Sequence, residues 1–108
     1  MSLKRSHKKY EIKATCYDKR GMVVSVGYNN YLKTHPKMAE LAERVDLIDK
    51  RFLHAEVAAI IRAKGKPIHK ISVERYDKNG NPKLAKPCPV CELAIKLAGI
   101  SVVEYTIG

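Results

Sequence analysis

The stretch "KPCPVCELAIKLAGISVVEYTIG" (86–108) holds a helix and a strand in one short run. Pro87 suits a helix entry, so the helix opens at the cysteines, and Gly99 closes it. "SVVEYTIG" (101–108) follows as a strand rich in β-formers. Upstream, "HKISVERYD" (69–77) reads as another strand, and "KNGNPKLAKP" (78–87) is turn and loop chemistry around Asn79-Gly80. A strand, a helix and a strand in this order favour a right-handed crossover, and therefore a sheet with helices on its faces.

Working outward, "YEIKATCYD" (10–18) alternates as a first strand. Lys19-Arg20-Gly21 turns it, and "MVVSVGYNN" (22–30) returns as the second arm of a hairpin. Beyond Pro36, residues Met38, Leu41, Ala42, Val45 and Ile48 recur at helical spacing. A second helix is expected from Phe52 or Leu53 to about Lys64, where Gly65 and Pro67 stop it. The order is ββααβαβ: an α/β chain with a mixed sheet of about four strands and helices on both faces.

The 108 residues make one domain, 1–108, with residues 1–9 as a basic, flexible tail. Six tyrosines, one phenylalanine and no tryptophan beside plentiful aliphatic residues suit a layered α/β core better than a disordered chain. No apolar run approaches the roughly 18 residues of a membrane span. The charged N-terminus is not followed by the apolar stretch of a signal peptide. These features point to a soluble cytoplasmic protein. Three cysteines, two of them in C-x-x-C, are a poor disulfide framework and in a reducing compartment suggest metal or redox chemistry. The net charge of +10, crowded at 4–9, 62–70 and 78–86, attracts phosphates of a nucleotide, a nucleic acid or an anionic membrane. Lysines that merely keep a small protein soluble explain it equally well. No aromatic-interleaved basic stripe marks a dedicated nucleic-acid module.

"FLHAEVAAI" (52–60) places His54 and Glu56 two apart in an apolar run. Zinc takes about four nitrogen and sulfur ligands, and a catalytic zinc takes three from protein. His54, Cys88 and Cys91 supply three, all near expected helix starts, whose partial positive charge favours thiolates. In mid-helix, residues two apart point roughly 200° apart. In a first turn, with the metal off the helix end, both His54 and Glu56 reach one site. Glu56 is then better placed to carry protons than to ligate, because zinc lowers the pKa of its water to about 7.

H-A-E at 54–56 followed by P-C-P-V-C at 87–91 resembles the zinc-dependent cytidine and deoxycytidylate deaminases. The resemblance extends over most of the chain, from "DKRGMVVSVGYNN" to "KPCPVCELAIKLAGISVVEY". The small size and the "THPKMAELAE" insert resemble short deaminase-like proteins of bacteriophages. The resemblance implies a three-layer α/β/α sandwich with one zinc per chain on His54, Cys88 and Cys91. It makes Glu56 the catalytic acid/base. It places Asn29 beside the sugar or base, the Ala55 backbone on the pyrimidine, and the Lys86 carbonyl near the departing amine. The implied reaction is hydrolytic deamination of a cytosine base on a free (deoxy)cytidine nucleotide such as dCMP, by a homo-oligomer. One departure is Ala58, where many deoxycytidylate deaminases carry asparagine.

Three other readings remain open. Single-stranded DNA or RNA is an alternative substrate, encouraged by the charge. A catalytically silent relative would bind nucleotide or nucleic acid through the same pocket. A structural zinc site would recruit Cys16 as a fourth ligand, although Glu56 would then have no role and Cys16 suits a small core position. His7, His35 and His69 lack partners at ligand spacing. Tyr28, Tyr31 and Tyr76 suit packing more than base stacking.

Overall fold

The computed structural model describes residues 11–34, 36–44 and 52–108, and all structural statements below concern these. The expected basic tail, and Val45 and Ile48 of the expected first helix, lie outside them.

Alternation sets the central strand. In β1 (Glu11–Tyr17), Ile12, Ala14 and Cys16 face the core and Lys13 faces away. Asp18 ends the strand by accepting the backbone N–H groups of Arg20 and Met22 on Oδ1 at 2.9 and 3.0 Å. That tight turn returns the chain as β2 (Val23–Tyr28), antiparallel to β1 with Ala14 opposite Gly27. On its other side β1 pairs antiparallel with β5 (Lys70–Tyr76), and β5 pairs in parallel with β6 (Val102–Tyr105). The order β2-β1-β5-β6 is therefore mixed, its parallel pair bridged by a helix as the 69–108 pattern predicts.

Between the hairpin and the crossover lie β3 (Asn30–Thr34), α1 (Pro36–Arg44), β4 (Phe52–Leu53) and α2 (Ala55–Arg62); α3 (Pro89–Leu97) forms the crossover. The β3–β4 ladder corrects two expectations. The second strand breaks at Asn29, and Phe52–Leu53 pairs with β3 instead of opening the helix. Extended backbone at Phe52–Leu53 finds ladder partners in β3, and His54, at φ −88° and ψ 154°, remains extended as the N-cap of α2.

Two apolar clusters join the layers. Ala55 and Ala59 of α2 and Ile95 of α3 pack on Ala14, Cys16, Ile71 and Val73 of the sheet. Behind them Met38, Leu41 and Ala42 of α1 meet Val57, Val90, Cys91 and Ala94. The mixed four-strand sheet and three helices give the α/β fold expected, and the described helices pack on one apolar face of the sheet. The physical reason is the unbroken apolar row Ile12, Ala14, Cys16, Ile71 and Val73, which the opposite face, with Lys13, Lys70 and Glu74, does not offer. No helix among the described residues is long and apolar enough to cross a membrane.

The loop after β5 is built on Asp77, whose Oδ1 accepts the N–H groups of Asn79 and Asn81 at 2.8 and 2.9 Å. The backbone N–H of Asn81, foremost, holds this carboxyl below its usual range. A carboxyl depressed in the folded state stabilises fully above its unfolded pKa of about 3.9, and that stabilisation fades as pH falls through the lower folded value. Urea unfolding of Asp77→Asn is expected to show a deficit against wild type that is constant above about pH 5 and vanishes under stronger acid. A pH-independent deficit would assign the effect to turn geometry rather than to the charge.

Candidate metal centre

Two helix starts meet at one end of the sheet. His54 caps α2, and Cys88, extended at φ −75° and ψ 171° with Pro89 behind it, caps α3. Their carbonyls begin the helices, accepting from Ala58 N at 2.9 Å and Glu92 N at 2.8 Å. The side chains of both caps, with Cys91 one turn into α3, converge. His54 Nδ1 lies 3.2 Å from Cys91 Sγ and 3.5 Å from Cys88 Sγ, and the three ligand atoms all fall within 4.8 Å of one another.

This donor set fits zinc. A tetrahedral ion with Zn–N of about 2.1 Å and Zn–S of about 2.3 Å sets nitrogen and sulfur ligands about 3.6 Å apart. The observed separations lie close to that. Cys16 does not join: it sits at 0 % exposure in the sheet–helix cluster, where burial pushes its thiol up. The described residues therefore bring together three protein ligands, not the four of a closed structural site.

The electrostatics within the trio are unequal. Hydrogen bonding from the Cys91 thiol, with a further bond to His54, holds Cys88 down to about 3 against the opposing effect of burial. Cys91 is pushed up, first by its hydrogen bond to Cys88, then by burial and by the charge of Glu56. Glu56 is 6 % exposed in the first turn of α2. Burial pushes its carboxyl up; its backbone N–H and nearby His54 work the other way. Cys91 is also within hydrogen-bonding reach of it, so the carboxylate stands against the trio.

A cavity of about 200 Å³ opens on this centre, and His54, Ala55, Glu56 and Cys88 line it. Asn29 and Lys86 line it too. The fold thus brings every sequence-picked residue except Cys91 to one wall, and Cys91 is reached through His54. Asn29 has a second role there, since its Oδ1 accepts the backbone N–H of Ile12 at 3.0 Å and closes the end of the hairpin. Tyr28 and Tyr76 are exposed, at 43 % and 42 %, and neither lines the cavity. With Ile12 of β1, Arg75, Leu84 and Ala85 complete the lining, and these last three were not foreseen. No local spacing marks them, because β5 and the following loop deliver them by tertiary contact.

The α/β fold is similar to that of a cytidine deaminase, and the trio forms a candidate metal centre at two helix N-termini. In particular, the chain resembles the crystal structure of a glutamate-to-glutamine mutant of cytidine deaminase from Mycobacterium tuberculosis. The TM-score is 0.51 at 14 % identity, over 94 % of this chain and 74 % of that one. No family model matches the chain, and no curated protein matches it by sequence.

If His54, Cys88 and Cys91 are the ligands, Cys88→Ser is expected to lower bound zinc from about one per chain to well under half. Elemental analysis after exhaustive dialysis checks this. Undiminished zinc in that variant would move the site elsewhere.

Proposed function

We propose that this chain is a zinc-dependent hydrolase that deaminates a cytosine base to uracil, most simply on a free (deoxy)cytidine nucleotide such as dCMP. One observation carries the reading: a buried carboxylate, Glu56, stands against a His-Cys-Cys trio on a shared cavity. A purely structural metal site leaves that carboxylate without purpose. When bound, zinc supplies Lewis acidity that makes water acidic enough to attack at neutral pH.

The remaining work falls to the chain. Glu56 takes the proton of the attacking water and passes it to the ring nitrogen. It then moves the second proton to the departing amine, so that cytosine and water become uracil and ammonia. The Ala55 backbone and Asn29 position the base and sugar, and the Lys86 main chain faces the leaving amine. At about 200 Å³ the cavity lies below the roughly 300–1,000 Å³ usual for whole drug-sized ligands, which suits a base inside with sugar and phosphate toward the rim.

The charge of +10 favours a phosphorylated substrate and supports a second reading, a cytosine within single-stranded DNA or RNA. Such a strand would lose affinity steeply with salt and a mononucleotide only shallowly. Exposed Val103, Tyr105 and Ile107 along the β6 edge support self-association into a homo-oligomer. Ammonia release by the zinc-loaded protein tests the proposal, with cytidine, deoxycytidine, their monophosphates, adenosine and a cytosine-containing single strand as substrates. Zinc-replete protein inactive on all of them would leave a binding module.

A further inference from the structure

Residues 82–86 read as loop, yet both flanking strands hold them. Lys83 donates its N–H to Arg75 O at 2.8 Å, and Ala85 donates its N–H to Thr106 O at 3.0 Å. The Thr106 hydroxyl donates to Lys83 O at 2.6 Å and accepts the Arg75 backbone N–H at 3.1 Å. The Arg75 guanidinium donates from Nη1 to Leu84 O at 3.2 Å. Tyr76 bridges to Pro82 at the start of the segment. Four main-chain groups of 83–85 are thus fastened to the ends of β5 and β6.

This segment is a wall of the cavity. Leu84, Ala85 and Lys86 line it, and Pro87 joins Lys86 directly to Cys88. Thr106 does not line the cavity; it reaches the site through the segment it ties and through Arg75. A loop of Gly-Asn-Pro-Lys composition would otherwise sample many conformations, and a wall that moves presents no fixed hydrogen-bonding edge to a flat base.

We propose that Thr106, with Arg75, is a positioning residue that holds 83–86 as a rigid wall, and that the wall's main chain selects an amino-pyrimidine base. The selection half rests on the deaminase reading above; the clamp does not. Thr106→Val keeps the shape and removes the hydroxyl, whereas Thr106→Ser keeps the hydroxyl. In Thr106→Val, KM for the cytosine substrate is expected to rise about tenfold, with kcat changing far less and zinc content unchanged. Thr106→Ser is expected to stay near wild type. Amide hydrogen exchange at Lys83 and Ala85 is expected to quicken about tenfold in the valine variant, while the β5 amides paired with β1 keep their protection.

Wild-type KM and wild-type exchange in Thr106→Val would overturn the proposal. So would a serine variant as impaired as the valine one. Should the valine variant fail to fold, Arg75→Met removes the guanidinium tie to Leu84 O and must quicken exchange at Lys83 and Ala85 as well as raise KM. A wild type inactive on every cytosine substrate would remove the deaminase reading and the selection with it, while the exchange data would still decide the clamp.

Discussion

Glu56→Gln is expected to lower kcat on a cytosine substrate by about 10²–10⁴-fold, the usual worth of a positioned general acid–base group. Zinc content is expected to remain at the wild-type level. Both halves follow from the geometry. Glutamine has the shape of glutamate and fills the same buried space in the first turn of α2, so the helix start and the cap His54 are left in place. It carries no transferable proton, so both proton movements of the proposed reaction lose their carrier. The variant also removes a buried carboxylate whose ionisation burial disfavours, so stability should hold or rise. Steady-state kinetics with metal analysis on the same preparation separates the outcomes. Full activity would remove Glu56 from the mechanism, and loss of zinc would make it a ligand.

The closeness of the candidate ligands was more legible in the sequence than what surrounds them. His54, Glu56, Cys88 and Cys91 were legible because each pair lies within one helical turn, and the ligand chemistry of nitrogen and sulfur narrows the meaning of such spacing. The four strands of the main sheet were legible from alternation, and the hairpin from its turn. The β3–β4 ladder was not, since Phe52 and Leu53 continue into the apolar run of α2 and a short apolar run does not declare its own period. Arg75 and Thr106 were invisible for another reason: their hydrogen bonds join residues 31 apart, and no local pattern encodes a contact at that separation. Ala58, the departure from the deoxycytidylate pattern, is 4 % exposed in α2, where the helix approaches β2.

That close approach makes Gly27 the position where the smallest change is expected to do the most structural harm. A Cβ there would stand 2.3 Å from Ala59 N, 2.6 Å from Ala55 O and 2.9 Å from Ala58 C. All three are backbone atoms, so no side chain can swing aside; α2 must move bodily off the sheet. Ser25, two residues back, donates its hydroxyl to Ala59 O at 2.7 Å and fixes the same approach. Gly27→Ala is therefore expected to cost about 3 kcal/mol, the upper end of overpacking penalties. At about 4–8 °C per kcal/mol for a chain near 100 residues, the melting temperature should fall by roughly 12–24 °C. Gly65→Ala is the control. Its Cβ meets nothing within 4 Å, and only its φ of +83° resists, at about 1–2 kcal/mol. If the two variants melt together, α2 yields to the new methyl at little cost and the close approach does not govern stability. The displacement should also reach the metal centre, because the Ala55 carbonyl that the new methyl strikes lies between His54 and Glu56. The Gly27→Ala protein, measured well below its melting point, should bind zinc more weakly than Gly65→Ala. Equal zinc affinity would mean that α2 yields at its far end and leaves its first turn in place.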